Sequence, residues 1–156
     1  MGAGGLLMEI ASRPLPRALA KSVNKREKKI MGVILAAGNS RRMGKDNKLL
    51  KNIDGAPLIR NIALEITKSD LDSCSIVLGY QSDKVADVIK DLNINLILNP
   101  LWKEGQASSL KAALNSLPSS YSDLLIMLGD LPSIKSGHIN RIIEEHLSSC
   151  LLYTSD

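Results

Sequence analysis

The sequence contains a short, glycine-containing basic loop, AAGNSRRMGKDNK, at residues 36–48. Gly38 and Gly44 allow the backbone to turn and to expose N–H groups toward a ligand. Arg42 and Lys48 add positive charge, and an arginine guanidinium can donate two parallel hydrogen bonds to phosphate oxygens. The spacing matches neither GxxxxGK[ST] nor GxGxxG. The loop predicts a phosphate-binding site, and the alternative is a surface loop whose charges are only solvated.

Four aliphatic segments alternate with four segments whose apolar residues recur at helical spacing. We predict strands at IMGVILAA, CSIVLGY, INLILN and DLLIMLGD, and helices at APLIRNIALEITKSD, SDKVADVIKDL, GQASSLKAALNSL and SGHINRIIEEHL. Pro57 suits the first turn of the first helix, and Ser82 suits the N-cap of the second. The order βαβαβαβα predicts a three-layer α/β/α sandwich with a mostly parallel, Rossmann-like sheet.

This architecture indicates where a ligand binds. In open α/β sheets, ligand sites form beyond the carboxyl ends of the strands. The candidate segments are therefore residues 37–48, 79–81, 99–109 and 129–132. The basic loop is the first of them, so its phosphate chemistry and the expected geometry of the sheet agree.

The composition argues against several other classes of protein. The net charge is +4, but much of the positive charge lies in KSVNKREKK and RRMGKDNK, and aromatic residues make up only 3%. A nucleic-acid surface normally combines a broader basic face with stacking aromatics, so we predict none. No apolar run approaches the roughly 18 residues of a membrane span. Cys74 and Cys150 form no CxxC motif, which argues against a zinc site and fits a reducing, cytoplasmic compartment.

The sequence divides into three parts. Residues 1–29 contain two prolines and then a charge run, KREKK, and are interpreted as a linker or the tail of an upstream domain. Residues 30–148 carry the alternating pattern and form the predicted domain. Residues 149–156 do not read as a natural continuation of the last helix and are interpreted as a truncated or non-native end.

Three segments carry a resemblance to a known family. LAAGNSRRMGKDNKLL resembles the LAAGxSxRMG…K signature of the MobA-like nucleotidyltransferases, which transfer a nucleotide from an NTP to a phosphorylated acceptor. NPLWKEGQASSLKAAL and LLIMLGDLPSI are similar to the patterns NPxWxxGxxSSLxxxL and LGDMPxV of molybdenum cofactor cytidylyltransferases. The resemblance spans about residues 30–147 and implies a fold of the nucleotide-diphospho-sugar transferase type.

The resemblance implies roles for individual residues. Arg42 and Lys48 are expected to neutralise the triphosphate as pyrophosphate leaves. Asp130 is expected to hold Mg²⁺, which prefers one or two carboxylates together with phosphate oxygens and water. Nucleotide contacts are expected from a further set: Leu35, Ala36, Ala37, Gly38, Ser40, Gly44, Gly79, Ser108 and Ser109. The alternatives are a proline-capped turn for Asp130, an ordinary strand end for Gly79 and a plain helix start for the two serines.

The resemblance also implies substrates. Ala36-Ala37-Gly38 stands where the guanylyl-transferring relatives usually read AGG, so CTP is favoured over GTP. The implied partners are CTP, a molybdopterin-type cofactor and a molybdoenzyme client. Three alternatives stay open: guanylyl transfer to the same cofactor, nucleotide transfer to a sugar phosphate, and a nucleotide-binding regulatory module without catalysis.

The sequence departs from the family pattern at both ends. The family continues with another strand and a second metal-binding aspartate, so we predict weak or no turnover by these 156 residues alone. GAGGLLMEIASRPLPR resembles the end of a molybdopterin-binding domain that some members carry upstream. The alternative for this segment is an unstructured leader.

Overall fold

The computed structural model describes residues 9–12, 28–38, 46–130 and 133–154. Within these ranges the strands are β1 (Glu9–Ser12), β2 (Ile30–Ala36), β3 (Asn52–Ile53), β4 (Ala56–Pro57), β5 (Ser73–Leu78), β6 (Asn95–Leu98) and β7 (Asp123–Leu128). The helices are α1 (Leu58–Lys68), α2 (Ser82–Asp87), α3 (Gln106–Asn115) and α4 (Ser136–Thr154). Two short 3₁₀ helices span Lys48–Leu50 and Trp102–Glu104.

The central sheet has the strand order β1-β7-β2-β5-β6. Strands β7, β2, β5 and β6 run parallel, and β1 joins the edge at β7 in the antiparallel direction. Strand β2 is buried over its whole length because it pairs on both sides and is covered on both faces. Its nearly continuous aliphatic run is typical of an interior parallel strand.

Alternate residues of β2 enter two different hydrophobic clusters. Ile30 and Ile34 pack with apolar residues of α1, α2 and α4, whereas Val33 and Leu35 pack with Ala113 of α3. Successive side chains of a strand point to opposite faces, so helices must cover both sides of the sheet. The predicted α/β fold with a mostly parallel sheet and flanking helices is confirmed.

Two predicted helix starts are wrong in detail. Pro57 belongs to β4 and precedes α1, rather than lying in its first turn. Ser82 is the first residue of α2, and Gln81 occupies the cap position in a left-handed conformation with φ 52° and ψ 40°. Gln81 makes no side-chain capping hydrogen bond, so the chain turns into α2 through its backbone conformation.

Helices α2 and α4 also differ in length from the prediction. Helix α2 ends at Asp87, although Ile89, beyond its end, is still fully buried. Helix α4 continues to Thr154, past the expected end of the domain at residue 148.

Strand β1 was not anticipated. It lies within residues 1–29 and pairs with β7 from Glu9↔Ile126 to Ser12↔Asp123. The assignment of residues 1–29 and 149–156 to separate parts of the chain stays a prediction. Across the described ranges, no helix is both long enough and apolar enough to cross a membrane.

Candidate active site

A cleft of about 500 Å³ lies beyond the carboxyl ends of β2 and β7. The segments after β2 and β7, the 3₁₀ helix at Lys48–Leu50 and the start of α3 form its walls. Seven of the predicted site residues line it: Leu35, Ala36, Ala37, Gly38, Lys48, Ser109 and Asp130. Residues separated by more than 90 positions in the sequence are therefore brought together at one edge of the sheet.

Two predicted residues that the structure describes are not part of the cleft lining. Gly79 and Ser108 lie next to it, where each makes a structural contact. Ser40, Arg42 and Gly44 lie outside the described residues, so their predicted roles at a triphosphate stay predictions.

Backbone hydrogen bonds beyond the strand ends hold the cleft segments in place. The Ala37 carbonyl accepts from Tyr80 N–H at 2.9 Å, and Asn99 N–H donates to the Leu78 carbonyl at 2.8 Å. Gly129 N–H donates to the Leu35 carbonyl at 3.0 Å. These bonds continue the parallel ladder past the strands, so the segments emerge from a common rigid edge.

Asp130 lies at an exposed position on the turn that follows β7. The preceding residue, Gly129, packs closely on the end of β2: a Cβ there would lie 3.1 Å from the Leu35 carbonyl oxygen and 3.2 Å from the Ala36 Cβ. Asp130 forms no ion pair with another described residue, so its carboxylate is available to a cation.

A metal at Asp130 would need ligands from outside the described protein residues. Among those residues, no three His, Cys, Asp or Glu side chains come together as a metal-binding group. Mg²⁺ commonly accepts such a site, because one or two carboxylates can be completed by substrate phosphate oxygens and water. The position of Asp130 in an open cleft that Lys48 also lines fits this pattern.

Asn47 was missed by the sequence analysis. The residue is 8% exposed, and its Oδ1 accepts from Leu49 N–H at 3.0 Å, which caps the 3₁₀ helix that begins at Lys48. Its Nδ2 is buried and has no hydrogen-bond partner among the described residues. An unsatisfied buried donor costs roughly 1–3 kcal/mol, and such groups in native structures often have a functional reason. The sequence signal was only its place beside Lys48.

The two adjacent serines of α3 differ in their hydrogen bonding. The Ser108 hydroxyl lies 2.9 Å from the Leu101 carbonyl and 2.7 Å from the Gly105 carbonyl. Its single proton is therefore donated to these backbone carbonyls. Ser109 is 4% exposed, lines the cleft and makes no hydrogen bond to a carbonyl in the part of the chain that is described. Ser109 is therefore the better placed of the two to meet a ligand.

Trp102 also lines the cleft, and the sequence analysis gave it no role of its own. Its ring packs against Tyr80 at a centroid distance of 5.4 Å, and the Lys103 ammonium lies 5.6 Å from its centroid. Gly79 makes this arrangement possible, because a Cβ at that position would lie 2.5 Å from the Trp102 Cβ. Trp102 is the single tryptophan of the chain and falls in one of the predicted ligand-binding segments.

The charges that face the cleft have both signs. Lys48 and Lys103 supply ammonium groups and Asp130 supplies a carboxylate. This combination can neutralise a polyanion while holding a divalent cation against it. His138 and His146 belong to α4 and are not part of the cleft lining.

Comparisons with known proteins find a family, curated relatives and solved structures that this chain resembles. The profile of the MobA-like NTP transferase domain matches residues 32–154. The bifunctional protein GlmU of Allorhizobium ampelinum is 34% identical over 110 residues, which cover 69% of this chain and 24% of GlmU. The chain thus spans about a quarter of the length of this curated relative.

Solved structures share the fold. Rv0371c from Mycobacterium tuberculosis H37Rv superimposes with a TM-score of 0.69 at 25% identity, over 78% of this chain and 62% of that one. A structure of Rv0371c in complex with manganese gives a TM-score of 0.62 at 23% identity, over 78% and 61% of the two chains. With the family profile covering most of its length, this chain belongs to the MobA-like NTP transferase domain family.

Proposed function

We propose that this chain provides the nucleotide-binding part of a nucleotidyltransferase that transfers CMP from CTP to the phosphate of molybdenum–molybdopterin and releases pyrophosphate. One observation is the main support for a nucleotide-binding site. The cleft at the carboxyl ends of the strands combines Gly38, Lys48 and Asp130, in a chain of the NTP transferase family. The choice of CTP and of a molybdopterin acceptor rests on the sequence motifs of residues 35–50, 99–114 and 124–134.

The size of the cleft fits a nucleotide. Its volume of about 500 Å³ lies within the range of roughly 300–1,000 Å³ that is usual for small-molecule sites. Polar groups occur at a few positions of its lining, among aliphatic residues such as Leu35 and Leu128. Such a lining suits a ligand with a charged end and a less polar end.

The cleft residues that would contact the triphosphate act mainly by positioning it and by neutralising its charge. The backbone at Gly38 would turn against the phosphates, and Lys48 would neutralise their charge. The buried Nδ2 of Asn47, which no other described residue contacts by a hydrogen bond, would donate to a phosphate oxygen. Asp130 would hold Mg²⁺, which supplies charge neutralisation and alignment at the α-phosphate when bound.

No general base is needed for the proposed reaction. A phosphate monoester acceptor is already an anion at neutral pH, so its oxygen can attack the α-phosphate directly. The bond from the α-phosphorus to the bridging oxygen of pyrophosphate then breaks, and pyrophosphate leaves with that electron pair. Catalysis therefore depends on bringing two anions together and on stabilising the charge that develops.

Calorimetric titration with CTP and with GTP, in the presence and absence of Mg²⁺, tests the site. We expect Mg²⁺-dependent CTP binding by the wild-type chain, which Asp130→Asn abolishes or weakens by at least about tenfold because the metal loses its carboxylate. Asp70→Asn is the matched control, because Asp70 is exposed and lies outside the cleft lining.

The possible results test the choice of nucleotide, the metal role of Asp130 and the nucleotide site separately. Preference for GTP would replace the cytidylyl assignment with the guanylyl one. Equal CTP binding by wild type and Asp130→Asn would contradict the metal role of Asp130. A folded chain that binds neither nucleotide would contradict the nucleotide site itself.

A further inference from the structure

Asn99 lies directly after β6 and is 3% exposed. Its backbone N–H donates to the Leu78 carbonyl at 2.8 Å, and its side-chain Oδ1 accepts from Leu101 N–H at 3.0 Å. Because a backbone N–H can only donate, the side-chain atom facing it must be the amide oxygen. The orientation of the amide is therefore determined, and the nitrogen faces α3.

The amide nitrogen of Asn99 contacts both serines of α3. Nδ2 donates to Ser108 Oγ at 2.9 Å and to Ser109 Oγ at 3.0 Å, so both of its protons are used. The Ser108 proton is directed to the carbonyls of Leu101 and Gly105. The Ser109 oxygen accepts from Asn99, and the Ser109 proton is left to donate elsewhere.

The neighbourhood of Ser109 favours an uncharged part of the ligand. Ser109 lines the cleft on α3, the helix whose Ala113 packs with Leu35 and Ala37 in the cluster that also contacts Trp102. These apolar groups suit a base or sugar better than a phosphate chain. Lys48 and Asp130 are carried by other segments of the cleft wall.

We propose that Asn99 is a positioning residue that makes Ser109 a hydrogen-bond donor into the cleft, where Ser109 recognises an acceptor atom of the nucleoside half of the bound nucleotide. This inference rests on the proposed nucleotide site. It adds Asn99 to that site and specifies that Ser109 donates its hydrogen bond to the ligand. Asn99 does not touch the ligand and acts through the Ser109 hydroxyl.

Asn99→Asp tests the direction of the hydrogen bond. One carboxylate oxygen can still accept from Leu101 N–H, but the atom that replaces the amide nitrogen now accepts from the serine hydroxyls instead of donating. The Ser109 proton is thereby drawn away from the cleft. We expect the Kd for CTP to rise roughly tenfold, the loss of about one hydrogen bond, while the Kd for inorganic tripolyphosphate is unchanged.

A double-mutant cycle shows whether Asn99 acts through Ser109. Ser109→Ala should weaken CTP binding by a similar factor, and Asn99→Asp should cause no further loss in the Ser109→Ala background. Asn93→Asp, a change at an exposed asparagine outside the cleft lining, should leave both affinities unchanged. Thermal unfolding of each variant shows that the folded chain is being compared.

The outcomes distinguish this inference from the function on which it rests. Additive losses in the cycle, or an equal loss of tripolyphosphate binding, would contradict the positioning role. Wild-type CTP binding that survives Ser109→Ala unchanged would contradict this inference alone. A wild-type chain that binds no nucleotide would contradict the proposed function, and this inference with it.

Discussion

Asn47 combines two interactions of different kinds in one side chain. Its Oδ1 caps the 3₁₀ helix through Leu49 N–H, whereas its Nδ2 is buried at the wall of the cleft and has no partner within the part of the chain that is described. The first interaction stabilises the 3₁₀ helix in which Lys48 is the first residue. The second leaves a donor whose desolvation is uncompensated until an acceptor arrives, which is the state expected of a binding residue before its ligand is bound.

The change Asn47→Ser separates these two roles. A serine hydroxyl can still accept from the same backbone N–H, but the amide donor is lost. We expect the stability of the nucleotide-free chain to change by less than about 1 kcal/mol, while the Kd for CTP rises roughly five- to tenfold. Urea unfolding and calorimetry measure the two quantities. Asn52→Ser, at an exposed position, is the control.

If Asn47→Ser lowered stability strongly and left CTP binding intact, the amide nitrogen would have a structural role instead. This test is independent of Asp130, because no metal is required for an amide to donate to a phosphate oxygen.

At the scale of elements, the cleft depends on how closely the segment after β5 approaches its neighbours. A Cβ on Gly79 would lie 2.5 Å from the Trp102 Cβ and 2.8 Å from the Ala37 carbonyl oxygen. The second contact is with backbone, so it cannot be relieved by a rotamer change. Glycine at this position lets β2, β5 and the 3₁₀ helix at Trp102–Glu104 meet.

We therefore expect Gly79→Ala to destabilise the chain by about 1–3 kcal/mol, as overpacking of a close contact usually does. It should also weaken CTP binding, because Trp102 must move and Trp102 lines the cleft. Gly137→Ala is the matched control, since a Cβ at Gly137 meets no described atom within 4 Å outside its own helix backbone and chain neighbours. Equal unfolding free energies for the two variants would contradict the close contact at Gly79.

At the scale of the whole molecule, the ion pair between Arg60 and Asp91 joins α1 to the segment that follows α2. The two terminal guanidinium nitrogens of Arg60 donate to the Asp91 carboxylate, at 2.7 and 2.8 Å, and Nη1 also donates to the Val88 carbonyl at 2.8 Å. The hydrogen bonds from Arg60 are the largest cause that lowers the pKa of Asp91 from 3.8 to about 2. Folding thus favours the ionised carboxylate.

The sign of the pH dependence follows from this shift. The stabilisation is fully present above the unfolded pKa of 3.8 and is lost as the pH falls toward about 2. We expect wild type to be more stable than Asp91→Asn at pH 5, with the difference shrinking between pH 4 and 2. Urea unfolding across that range measures it, and Asp83→Asn serves as the control. A difference that stays constant to pH 2 would contradict the role of the ionised pair.

The sequence by itself determined the type of fold, the family and the edge of the sheet at which the candidate site lies. Aliphatic runs of six to eight residues separated by helical patterns are typical of parallel strands covered by helices, and the largely buried strands β2, β5 and β7 confirm this. Strand β6 also forms where predicted, but it lies at the edge of the sheet and is mostly exposed. Motif residues such as Gly38 and Asp130 follow those strands, so they had to meet at the carboxyl edge. The closeness to cytidylyltransferases stays a prediction.

Only the tertiary structure decided matters that depend on partners distant in sequence. Strand β1 is a four-residue segment without a clear pattern of its own, and its place follows from backbone pairing with β7 more than 100 positions away. Ser108 and Ser109 are identical in type and adjacent, yet the amide of Asn99 and the carbonyls of Leu101 and Gly105 give them different roles. Whether a hydroxyl donates or accepts a hydrogen bond depends on the groups that surround it in the folded chain. The sequence alone therefore does not predict the different roles of the two serines.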